Sequence, residues 1–63
     1  MTNNEVISKI LEIKSEVASD ESIASEEKQK VIDERTFSVY EIAGYSNSRN
    51  GFDVPFEVLT ATF

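Results

Sequence analysis

Apolar residues recur near the start of the chain at Val6, Ile10, Ile13 and Val17, spacings of four, three and four that fall on one stripe of a helix. Ile7, Leu11 and Ala18 widen that stripe to about 160° of the helical wheel, while Glu5, Glu12 and Glu16 occupy the far side. Thr2 and Glu5 match the S/T-x-x-E capping box, in which a hydroxyl and a carboxylate satisfy backbone N–H groups at a helix start. The pattern predicts a helix over about 3–18, with an apolar face too broad for a single neighbour.

"SDES" (19–22) interrupts the periodicity, because Ser and Asp side chains compete for backbone groups and favour turns and caps. A second helix over about 22–35 follows, with Asp20 or Ser22 as its expected cap. Its apolar set of Ile23, Ala24, Val31 and Ile32 is thin, and Lys28 and Arg35 intrude on that face. Glu26 and Glu27 in the first turn and Arg35 in the last suit the helix dipole.

From Thr36 onward the composition turns β-branched and aromatic. "TFSVYEIAGY" (36–45) reads as a strand, and "FDVPFEVLTATF" (52–63) alternates at Phe52, Val54, Phe56 and Val58 as a half-buried strand does. Asn50-Gly51 between them is a strong short-range hairpin signal, since both residues tolerate the positive φ of a type I′ turn. Strands over about 36–45 and 52–62 would then pair Tyr45 with Phe56, Ala43 with Val58 and Val39 with Thr62, with a sheet edge at Pro55. The expected fold is α+β, two helices followed by a β-hairpin, in one domain spanning 1–63. The alternative is an all-α three-helix chain in which Gly44 ends a long second helix and Asp53 caps a short third one through Pro55.

Composition changes the picture at three points. A chain of 63 residues is small enough that an isolated core is marginal, and small proteins compensate with disulfides, metals or association. With no Cys and no His, disulfides are excluded and a zinc site is disfavoured, which leaves association as homodimer or higher oligomer. Twelve acids against six bases give a net charge of −6, which opposes direct binding to nucleic acid or anionic lipid and favours a basic protein surface. No apolar run reaches the roughly 18 residues needed to span a bilayer, and "MTNNEVISK" lacks a signal pattern, so the expected address is cytoplasmic and not membranous.

Six carboxylates, Glu12, Glu16, Asp20, Glu21, Glu26 and Glu27, lie between positions 12 and 27, opposed there only by Lys14. They are the candidate surface for a basic partner; read more plainly, they form a solvated corner with acids at a helix start. The stretch lacks the glycine and alternate acids of a calcium loop. Ser19, Ser22 and Ser25 could be phosphorylated, though capping explains Ser22 as well. Arg49, in a polar turn, could grip a carboxylate or phosphate. Tyr45, Phe52 and Phe56 are candidate apolar anchors, because aromatic side chains dominate binding hot spots.

Without His or Cys, the usual nucleophile–base pairs cannot be assembled, and 63 residues give little room for a dry pocket that would tune a carboxylate. The expected function is therefore non-enzymatic and cofactor-free: a small acidic module that binds, and modulates or inhibits, a protein with a basic surface. The alternative is a self-assembling structural protein.

Overall fold

Thr2 and Glu5 form the reciprocal cap that their spacing predicts. The Glu5 N–H donates to Thr2 Oγ1 at 3.2 Å and the Thr2 N–H donates to Glu5 Oε1 at 3.1 Å. This cap opens α1 (Asn3–Ser19) in the computed structural model, which describes residues 1–45 and 53–63. Val6, Ile10 and Val17 on its stripe are completely buried.

Asp20 ends α1 with extended backbone and accepts both the Ser22 N–H (2.9 Å) and the Ser22 hydroxyl (2.6 Å) at Oδ1. This is an Asx-type turn, so Asp20 redirects the chain instead of capping the next helix. The second helix, α2 (Ser25–Ala43), starts three residues later than position 22, behind Ala24, with no side-chain cap.

The larger correction is at its other end. α2 does not stop near residue 35 but runs through the segment expected to be a strand. Thr36, Val39, Tyr40 and Ala43 are spaced i, i+3, i+4, i+7, so a helix gathers them on one side, where a strand would split them between two faces. Thr36, Val39 and Tyr40 are indeed buried. Gly44 then stops the helix with φ 85° and ψ 20°. Its N–H donates to the Glu41 carbonyl at 3.1 Å, and the Tyr45 N–H reaches back to the Tyr40 carbonyl at 3.0 Å. The Tyr40 and Tyr45 rings close this Schellman-type ending, their centroids 5.9 Å apart.

The chain becomes helical again at α3 (Phe56–Thr62), so the expected strand over 52–62 is corrected as well, together with the pairs Tyr45–Phe56, Ala43–Val58 and Val39–Thr62. No strand occurs among the described residues, and the fold is all-α, the three-helix alternative. Pro55, expected at a sheet edge, stands immediately before α3, where its fixed φ suits a helix start and its missing N–H costs nothing. Asp53 does not cap this helix; its N–H donates to the Tyr45 carbonyl at 2.9 Å. The expected turn at Asn50-Gly51 lies outside the described residues.

Helix α1 packs against both α2 and α3, while α2 and α3 meet each other only sparingly. The core is Val6, Ile10, Val39, Tyr40 and Val58, with Ile7, Ile13, Ala43, Tyr45 and Val54 partly buried against it. Polar ties lock the arrangement. Asn3 donates to Glu57 Oε1 at 2.6 Å and accepts the Tyr45 hydroxyl at 2.9 Å, joining the start of α1 to both ends of the connection. Tyr40 and Thr62 share a hydroxyl–hydroxyl bond of 2.5 Å.

Neither α1 nor α3 has a basic residue in its own last turn, and each receives a lysine from elsewhere. Lys28 of α2 donates to the Ala18 carbonyl at 2.8 Å, and Lys14 of α1 donates to the Ala61 carbonyl at 2.7 Å. No helix among the described residues is long and apolar enough to cross a membrane.

Two substitutions test this account. A Cβ at Gly44 would meet nothing within 4 Å, so Gly44→Ala should cost only the left-handed backbone term, about 1 kcal/mol in urea denaturation. A neutral outcome would mean that the helix does not end there in this conformation. Thr36 is 1% exposed and its hydroxyl has no hydrogen-bond partner. Thr36→Val should therefore leave stability unchanged or raise it by up to about 1 kcal/mol, since no bond is lost with the hydroxyl. A clear destabilisation would show that the hydroxyl is bonded.

Candidate interaction surface

The six acids of the candidate surface divide into three pairs. Glu12 and Glu16 stand exposed on α1; Asp20 and Glu21 form the corner, and Glu26 and Glu27 occupy the exposed first turn of α2. At that helix start the carboxylates face the positive end of the dipole, a local role that needs no partner. Lys14, the one base within the acidic stretch, is directed to the end of α3. Lys28, which seemed to intrude on an apolar face, instead brings a cation to the corner, at the end of α1.

Hydrogen bonding perturbs two carboxylates. Glu5 is held below its ordinary pKa by the Thr2 backbone N–H first and the Thr2 hydroxyl second. Asp20 is lowered by the Ser22 hydroxyl and then the Ser22 N–H, with smaller help from Arg35 and Lys28. A shallow open concavity of about 310 Å³ on the outer face of α1 is lined by Asn4, Glu5, Ser8, Lys9 and Glu12. Among the described residues no three acidic, His or Cys side chains converge to hold a metal ion.

The aromatic candidates separate. Tyr45 is half-buried and faces the core, its hydroxyl on Asn3. Burial pushes its phenol upward, with Glu57 and Tyr40 adding to the shift. Phe56 stands 80% exposed. Arg49 and Phe52 lie outside the described residues.

The sequence reading did not single out the groove between α2 and α3. It has a volume of about 300 Å³ and is walled by Phe37 and Tyr40 on one side and by Val54, Leu59 and Phe63 on the other, with Thr36 at its base and Asp33 at its lip. Phe63 is 94% exposed and Phe37 half-exposed. Phe56, Leu59 and Phe63 follow i, i+3, i+7 spacing, which puts them on one stripe of α3 and the residue just beyond it. That spacing was present in the sequence, but a period-two reading of the same segment concealed it.

No protein-family model, curated protein or solved structure matches this chain.

The lowered carboxylates set a pH dependence. Each has a folded pKa below its unfolded one, so its contribution is complete above the ordinary carboxylate range and is lost as pH falls through the lowered value. Thermal midpoints of Glu5→Gln/Asp20→Asn should therefore fall less steeply than the parent's below about pH 4. Parallel acid limbs would remove the two hydrogen-bonded carboxylates from the account.

Proposed function

We propose that this chain is a non-enzymatic protein-binding module that engages, and thereby modulates, a partner with a basic surface. The observation that carries this reading is the coexistence of exposed aromatic rings and exposed carboxylates on a small helical frame. Phe56 and Phe63 are 80% and 94% exposed on a molecule of net charge −6. Aromatic side chains make the largest single contributions to interfaces, while surrounding charge sets encounter rate and partner choice. The acids at Glu12, Glu16, Asp20, Glu21, Glu26 and Glu27 supply long-range attraction, and the apolar side chains supply the contact.

A second reading, self-association, draws on the thinness of the core. Among the described residues only Val6, Ile10, Val17, Val58 and Thr36 are fully enclosed, so a second copy covering the exposed rings would add what one chain lacks. The charge of −6 on each copy opposes it. In sedimentation equilibrium at micromolar concentration, a dimer that dissociates on Phe63→Ser would give the surface to the chain itself.

The principal reading is tested by capturing host proteins on the immobilised chain and identifying them by mass spectrometry. The bound protein should be basic, and its affinity should fall with added salt, because exposed charges are screened beyond about 8 Å at physiological ionic strength. Glu16→Gln/Asp20→Asn/Glu21→Gln should weaken binding at low salt while leaving the fold intact, since Glu16 and Glu21 are exposed and an amide at position 20 keeps an oxygen to accept from Ser22. If that variant binds as tightly as the parent, the corner is merely solvated and the electrostatic part of the reading falls.

A further inference from the structure

The α2–α3 groove has an apolar interior with Asp33 at its lip, and further carboxylates stand on the exposed surface beside it. Around Phe37 on α2, the positions three and four residues away are Asp33, Glu34, Tyr40 and Glu41, so three of its four helical neighbours are carboxylates. On the opposite wall, exposed Asp53 precedes Val54. Lys30 is the only base among α2 residues within one further turn on that flank. Beneath them the Thr36 hydroxyl is buried without a partner.

We propose that this groove is the docking site for a cationic amphipathic helix of the partner protein. The proposal rests on the protein-binding reading above and deepens it by assigning the site and the shape of the occupant. Charge complementarity selects that occupant. An apolar stripe spaced i, i+3 or i+4, i+7 would lie on Phe37, Leu59 and Phe63, as in helix-in-groove recognition. Lys or Arg on either side of it would be drawn to Asp33 at the lip and to Glu34, Glu41 and Asp53 on the exposed surface beside it. A second copy of this chain would set carboxylates against the same carboxylates, and an anionic lipid surface would be repelled. Because α3 has seven residues, about 10 Å of helix, the groove accommodates roughly two turns of a partner and two or three anchoring side chains.

The probe is a displayed library of short helical peptides with Leu or Phe fixed at i, i+3, i+4 and i+7 and Lys, Glu or Gln elsewhere, selected on the full-length chain at low salt. Lys-rich peptides should be enriched over Glu-rich ones. Phe37→Ser/Phe63→Ser should weaken the selected peptides by about tenfold or more, the loss typical of removing an anchor. Asp33→Asn/Glu41→Gln should weaken them and flatten their salt dependence. All four positions are exposed or half-buried, and circular dichroism confirms that each variant remains helical before binding is compared.

Enrichment without preference for Lys, or binding indifferent to Phe37→Ser/Phe63→Ser, overturns the proposal. If Lys-rich peptides bind but are lost only in Glu16→Gln/Asp20→Asn/Glu21→Gln, the basic-partner reading stands and the groove is not the site. If no cationic peptide is enriched, the groove proposal falls, while the basic-partner reading is decided by the capture experiment. A dimer that the Phe37→Ser/Phe63→Ser change dissociates assigns the groove to a second copy and likewise overturns the proposal.

Discussion

The breadth of the apolar stripe on α1 is the constraint from which the rest of the molecule follows. Of the residues that widen it, Leu11 and Ala18 stay exposed while Ile7 packs against the core. The covered arc from Ile13 to Ile7 spans about 120°, still broader than the roughly 100° face that one helix takes. Helix α1 consequently has two neighbours, and Val6 and Ile10 lie in a core completed by Val39 and Tyr40 from α2 and Val58 from α3. Because both neighbours are held to α1, they need not be held closely to each other. The sparing α2–α3 contact and the groove between them are two descriptions of the same geometry.

Helix ends are the second organising feature. An acidic chain has few cations to place at helix C-termini, where unpaired carbonyls carry partial negative charge. Here Lys28 serves the end of α1 and Lys14 the end of α3, so each lysine also ties two helices together. Helix α2 receives no lysine and ends instead on Gly44, whose positive φ turns successive N–H groups back toward Tyr40 and Glu41. Two solutions to one electrostatic problem thus define the three helix ends, with a charged side chain used where two helices meet and backbone geometry used where the chain must turn.

The sequence made α1 legible almost completely, because the cap, the stripe and its far-side acids all indicate a helix at about the same boundaries. The second half was misread for a physical reason. Thr36, Val39 and Tyr40 have high strand propensity, yet propensity describes how a side chain suits a pleated surface and yields to tertiary packing. Helical spacing across Thr36, Val39, Tyr40 and Ala43, with no Gly or Pro until Gly44, was the stronger signal. Asp20 could be assigned to the chain reversal but not to its particular bond, since an Asx turn and an N-cap use the same carboxylate. The cross-helix destinations of Lys14 and Lys28 were not legible, because they depend on which helix ends come together. The acidic candidates were easily read as exposed. The groove was not, because its walls come from residues about twenty positions apart that share no local pattern.

Exposed aromatic rings on so small a chain would ordinarily favour indiscriminate association. The distribution of charge opposes that outcome. Phe37 is bordered by Asp33, Glu34 and Glu41, and a like-charged surface approaching it would bring carboxylates together in a partly desolvated cleft. Repulsion of this kind would act on copies of the chain itself and on any acidic surface, whereas a cationic surface escapes it. The same carboxylates would then attract one class of partner and reject the commoner ones. Their arrangement would let the rings stay exposed on a chain whose described core is small.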